Sequence, residues 1–249
     1  MLRLIYVLTA ANLRARYRNT FYGVIWVLLY PILMYGAQVF AFTVVFEVKD
    51  PNYPLYLLAG IIPWIFVVQS VEMCTGVYLQ WGHALKNLPI PALIIPSIQL
   101  LDNFINFFGA YFLILMFYVF QGKVTAAQVL ISFFPTFSLV AFVSGMCTVF
   151  ALINVRYRDL KFVLSFLFSL LFYLTPIFYS INSVPVSVRW IIGNNPFHFL
   201  LRPFQELFIN GTTDNFYHYQ YVAFFMAFIS FFLSYLAWRK LKNNVVFYG

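Results

Sequence analysis

Charge is what this sequence has least of: 9% of its 249 residues are Asp, Glu, Lys or Arg, where a soluble domain carries about 25%. That shortage excludes a soluble globular domain, and with it the reading of the +8 net charge as a nucleic-acid surface. Cysteine is scarce too. Cys74 and Cys147 both lie inside apolar runs, with no pairing pattern and no metal-ligand spacing, so they read as small core residues rather than as a disulfide framework or metal site. Histidine is confined to His83, His198 and His218, on separate segments with no acid at useful spacing. There is no His-Glu-x-x-His and no Gly-x-Ser-x-Gly. The one Gly-Lys pair, Gly122-Lys123, is followed by Val124, and Phe117 stands where a phosphate loop needs glycine. ATP binding by that route is excluded, so a pump of this sequence takes its energy from a partner.

Apolar sequence is what abounds, at 63% of residues. Six runs stand out, at about Val24–Phe46, Leu55–Tyr78, Leu93–Phe120, Val129–Val155, Phe162–Ile181 and Tyr221–Trp238. Each reaches the roughly 17 to 25 residues a helix needs to cross hydrocarbon. With the connecting segments assigned alternately to two sides, 11 of the 15 Lys and Arg fall on one side, among them Arg3, Arg14, Lys86, Arg156, Lys161 and Arg239. Only Lys49, Lys123, Arg189 and Arg202 fall on the other. By the positive-inside rule the first side is cytoplasmic, so both termini are expected to face the cytoplasm. Arg14, Arg16 and Arg18 interrupt the apolar core a signal peptide would need, so the first span is expected to be retained. Backbone groups must be satisfied inside the bilayer, and the expected architecture is one all-α integral membrane domain over residues 1–249 with six transmembrane helices. The excess of basic residues is a topology signal, drawn toward anionic inner-leaflet lipid.

The segments between the runs have their own patterns. Over residues 1–22, Leu2, Tyr6, Leu13 and Tyr17 share one helical face and Arg3, Arg14 and Arg18 a neighbouring one, which predicts an amphipathic helix lying in the interface. Arg16 falls on the apolar side of that wheel, which leaves a disordered basic leader as the alternative. Pro31 is expected to kink the first span. Two short basic elbows face the cytoplasm. One, Trp81–Pro91, holds Lys86, Asn87 and Pro89; the other, Asn154–Lys161, holds Arg156, Arg158 and Asp159. Before the last span, Val184–Ile209 is aromatic and broken by Asn194, Asn195, Pro196 and Pro203, which fits a pair of short helices dipping back into the outer leaflet or a cap lying on it.

Glu72 and Asp102 are the acidic residues within the runs, and a carboxylate near the bilayer centre costs about 2.5 to 3.5 kcal/mol. Both should face protein or water. Asp102 shares a stripe with Gln99, Asn106 and Gly109 or Ala110, the spacing of one helix face; interhelical hydrogen bonding and contact with a polar substrate or a water-filled path both fit it. Aromatic residues make up 22% of the chain, more than interfacial belts require. In the fifth run Phe162, Phe166 and Tyr173 share a face, and Phe168, Phe172 and Tyr179 another. Such rings either pack against lipid and protein or line a path along which sugars slide on their apolar C–H faces.

The string Arg14-x-Arg16-Tyr17-Arg18-x-Thr20-x-x-Gly23-x-x-Trp26, with Pro31 behind it, resembles the entry to the first span of ABC-2 type exporter permeases. Asn154-x-Arg156-Tyr157-Arg158-Asp159, then Thr175-Pro176-Ile177-x-Tyr179, then Asn195-Pro196 with Arg202 and Gly211, resemble in the same order the branch that exports O-antigen, capsular polysaccharide and teichoic acid. The resemblance covers nearly the whole chain. It implies a homodimer with a channel on its two-fold axis, bound to two copies of a cytoplasmic ABC ATPase subunit that carries the ATP and Mg, in a bacterial inner membrane. This chain would hold no cofactor or metal and perform no catalysis. Arg14, Arg16, Arg18, Lys86, Asn87, Arg156, Arg158 and Asp159 would couple to the ATPase. Tyr30, Phe162, Phe166, Tyr173, Tyr179, Asp102 and Asn106 would line the path of a lipid-linked polysaccharide, O-antigen first among them. Asn195, Pro196 and Arg202 would belong to an outer re-entrant gate hairpin over Val184–Ile209. The chain departs from the family at Ile90-Pro91-Ala92, where a basic residue often follows the proline, and after Arg239-Lys240, where Asn243-Asn244-Val245 replaces the usual acidic continuation. Export of a small amphiphile on the same fold is the alternative; a membrane-embedded glycosyl or acyl transferase would need acid or histidine pairs that the sequence does not have.

Overall fold

The computed structural model describes residues 7–12, 23–82, 85 and 91–248, and the side chains among these outside 23–28 and 243–248. Every regular element among the described residues is helical. Residues 7–12 are helical; after them, in chain order, come α1 (Gly23–Phe40), prolonged by a π-helical turn at Ala41–Val45, α2 (Tyr53–Thr75), α3 (Val77–Gln80), α4 (Ile94–Phe120) and α5 (Ala126–Ile131). There follow α6 (Phe133–Arg156), α7 (Leu160–Leu174), a 3-10 turn at Ile181–Ser183, α8 (Val186–Gly193), α9 (Pro196–Ile209) and α10 (Asp214–Tyr248). Four stretches, Tyr53–Thr75, Ile94–Phe120, Ala126–Arg156 and Asp214–Lys242, are long and apolar enough to cross a membrane, while Leu29–Val45 and Leu160–Leu174 are apolar but shorter. This is an all-helical, multi-pass membrane protein.

Helix limits follow local chemistry. The fifth apolar run was expected to be helical to Ile181, but α7 stops at Leu174. The ring of Pro176 disfavours helical backbone at the residue before it, and Thr175 is accordingly extended (φ −102°, ψ 132°). At 1.5 Å per residue α7 covers about 22 Å, short of a hydrocarbon core of about 30 Å. Pro31, by contrast, lies inside α1, which runs on to Phe40. The Gly122-Lys123 pair closes α4: the amide of Gly122 (φ 71°) donates to Val119 O at 2.9 Å and that of Lys123 to Tyr118 O at 3.0 Å. That is a Schellman cap. The last helix begins at Asp214 and so overruns the apolar stretch Tyr221–Trp238, because apolarity marks only the part of a helix that meets hydrocarbon.

The bundle centres on α2, 16 of whose 23 residues are buried. It packs against α4, α6, α7 and α9, and the most extensive helix pair is α6 with α10. Lipid tails are as apolar as leucine, so close approach and hydrogen bonding must hold such helices together. Gly145 provides the approach between α6 and α10: a Cβ there would come within 2.6 Å of the Ser230 carbonyl. The Ser230 hydroxyl donates to Phe142 O at 2.7 Å. Gly60 does the same for α2, where a Cβ would stand 2.9 Å from Ile177 O.

Candidate functional site

Two cavities of about 410 Å³ each lie beside α2. One is formed by α1, α2 and α7. Trp64, Phe168, Phe172, Tyr30 and Tyr173 supply its aromatic lining, and Gln38, Gln69, Glu72, Ser165 and Ser169 its polar groups. Trp64 is buried, with Phe168 and Phe197 edge-on to its ring at 6.2 and 5.5 Å. The second cavity is polar, lined by Asn12, Gln80, Gln99, Asp102 and Lys161 with Glu72 and Met73. Glu72 belongs to both. Its Oε1 accepts from the Ser165 hydroxyl at 2.6 Å, while Asp102, fully buried, accepts from the Asn12 amide at 3.3 Å.

The structure therefore brings Tyr30 and Tyr173 to one cavity and Asp102 to its neighbour. It does not bring the other path residues there. Phe162 and Phe166 stand on the outward face of α7, 75% and 68% exposed, and that face also carries the exposed side of Tyr173. Tyr179 is half-buried beyond the end of α7, its hydroxyl donating to Tyr173 O at 3.0 Å. Asn106 is half-buried on α4 and lines neither cavity. Sequence reasoning gave no path role to Trp64, Gln69, Glu72 or Ser165. The available signal was spacing: Gln69 and Glu72 are three apart on α2, and Ser165 and Ser169 four apart on α7, so each pair shares a helix face.

A second constellation surrounds the break at Thr175. Unwound backbone inside a membrane domain must find hydrogen-bond partners in the protein, and here two helices provide them. The Asn195 amide donates to Leu174 O at 3.1 Å and to Thr175 Oγ1 at 2.9 Å, while its Oδ1 accepts from the Phe197 amide at 3.0 Å and so caps α9. Pro196 fills the first turn, where a missing amide hydrogen costs nothing. Gln205 donates to Pro176 O at 3.1 Å, Tyr53 to Phe178 O at 2.8 Å and Tyr56 to Tyr179 O at 2.8 Å. Further along α9, Arg202 pairs with Glu206 at 2.5 Å and Glu206 accepts from the Asn210 amide at 2.6 Å, with the Glu206 side chain 3% exposed. Burial, and then the Arg202 cation, push the His198 imidazole down to about 4. The paired charges at i,i+4 were legible as a helix pair; that they sit inside the bundle was not.

At the end of α6 and the turn into α7, Arg156, Tyr157, Arg158 and Asp159 are all exposed. Among the described residues neither arginine forms an ion pair; Arg156 lies 5.6 Å from the centre of the Tyr157 ring. Asp159 precedes α7 without capping it through its side chain. Arg14, Arg16, Arg18, Lys86 and Asn87 lie outside the described residues, as does most of the expected interface helix. No group of three or more metal-ligating side chains occurs among the described residues.

Residues 3–209 match the family model described as ABC-2 type transporter. Two proteins of Klebsiella pneumoniae, both named O-antigen export system permease protein RfbA, are 28% and 27% identical over 241 residues, 96% of this chain and 92% of each of theirs. A protein of the same name from Myxococcus xanthus is 30% identical over 205 residues, 81% of this chain and 78% of that one.

Proposed function

We propose that this chain, which belongs to the ABC-2 type transporter family, is the permease subunit of an ATP-driven exporter that moves lipid-linked polysaccharide across a bacterial inner membrane, with O-antigen the first candidate. The family makes it a transport subunit rather than an enzyme. One observation carries the choice of substrate: the cavity between α1, α2 and α7 sets aromatic rings beside hydroxyl, amide and carboxylate groups. Sugars need that combination, since their C–H faces stack on rings and their hydroxyls require polar partners. Relatives named as O-antigen export permeases align over nearly the whole chain and support the same reading.

In this proposal residues 1–249 form one transmembrane domain of six spans with both termini in the cytoplasm. Two copies surround a channel, and each binds a separate ATPase subunit that carries ATP and Mg. The Arg14–Arg18 helix, the Lys86–Asn87 elbow and the Arg156–Asp159 elbow dock on the ATPase, and the α8–α9 hairpin closes the outer end. ATP-driven closure of the partner favours the open state only if its contacts with the elbows differ between the two states. The exposure of Arg156 and Arg158, and their lack of an ion pair among the described residues, suit a surface that another protein covers. The test is the complex purified with its ATPase in lipid nanodiscs. Arg156→Ala and Arg158→Ala should lower transport-coupled ATP hydrolysis by roughly tenfold, the loss of one charge-assisted contact, with membrane insertion intact. Coupling as strong as in the unaltered complex would remove these residues from the docking surface.

A further inference from the structure

Among the described residues Glu72 is the one side chain that lines both cavities, so a ligand extending from the polar cavity into the aromatic one passes it. Within the aromatic cavity it is also the only charged side chain, and no Lys, Arg or His lines that space among the described residues. Lys161 lines the polar cavity but forms no ion pair with Glu72. The 2.6 Å bond from Ser165 is an alcohol O–H donated to a carboxylate, the interaction a sugar hydroxyl would make in its place. A carboxylate on the ligand would instead meet the like charge of part-buried Glu72 in a cavity with no cation among its described lining residues, and like charges a few ångströms apart repel.

We propose that Glu72 is a charge filter in the path: it accepts hydrogen bonds from the hydroxyls of neutral glycans and turns back glycans bearing carboxylates. This rests on the path reading above and adds a specificity determinant to it.

The test uses the permease–ATPase complex in nanodiscs with two probes of equal length, maltopentaose and penta-galacturonate. Trp64 reports occupancy, its fluorescence isolated by subtraction of a Trp64→Phe complex. The unaltered protein should prefer the neutral probe by at least about tenfold, and Glu72→Gln, which keeps an acceptor for Ser165, should bring the ratio near unity. Glu72→Asp and Ser165→Ala retain the charge and should retain the preference. Ser169→Lys, which sets a cation in the same cavity, should weaken or invert it, and this arm stands even if Glu72→Gln does not fold. An unchanged ratio in Glu72→Gln, or in Ser169→Lys, overturns the filter while leaving the path. If neither probe affects Trp64 in any variant, the path is overturned, and the filter with it.

Discussion

The Asn195 side chain does three things at once: it caps α9 and ties that helix to the last turn of α7 and to the first unwound residue beyond it. Asn195→Ala should therefore cost about 1–3 kcal/mol, the sum of a lost cap and of acceptors left buried without partners, read as a lower unfolding temperature in detergent. Asn195→Asp keeps the cap but donates no hydrogen and buries a charge, so it should be no better than alanine. The Asn195-Pro196 and Thr175-Pro176 motifs were legible in sequence, but the helix break at Thr175 was not expected there. The bond between the two motifs was not legible either, because a hydrogen bond across 20 residues of chain leaves no periodicity to read. Glu72 is the same lesson in reverse: its burial cost marked it as a residue facing protein or water, but only the positions of α1 and α7 reveal which groups face it.

Whole elements were easier to read than their ends. Each of the six apolar runs contains a helix because continuous apolar sequence in a membrane leaves the backbone few other ways to pair its polar groups. Their limits moved where local chemistry outweighed apolarity, as at Thr175, or where a helix continued into polar sequence, as in α10. The close packing of α6 on α10 could not be read, since a lone glycine in an apolar run does not reveal its neighbour. Gly145→Ala should force the two helices apart around Ser230, with an overpacking cost of about 1–3 kcal/mol and loss of folded protein on size exclusion. Gly36→Ala is the matched control in α1. A Cβ there meets nothing within 4 Å, and the variant should melt with the unaltered protein. Equal melting of the two variants would mean that the α6–α10 contact is looser than described.

For the molecule as a whole, α7 is among the helices least covered by the rest of the bundle: only Leu164 and Phe168 are buried, while Phe162, Phe166 and Tyr173 face outward. Lipid would satisfy that face as well as a second copy would, so the proposed homodimer is tested by mass photometry of the complex with its ATPase. Two copies of each subunit are expected, and a single copy of this chain would rule out a channel on a two-fold axis. The family was legible from motifs spread over most of the chain, whereas the cavities, made by helices distant in sequence, had to be seen. The most direct measurement of the central claim is made in the native host with the gene for this chain deleted. Surface polysaccharide should disappear while lipid-linked polymer accumulates on the cytoplasmic side, and the plasmid-borne gene should restore export. Normal surface polymer in the deletion, or loss of the polymer's synthesis altogether, would contradict a role in export.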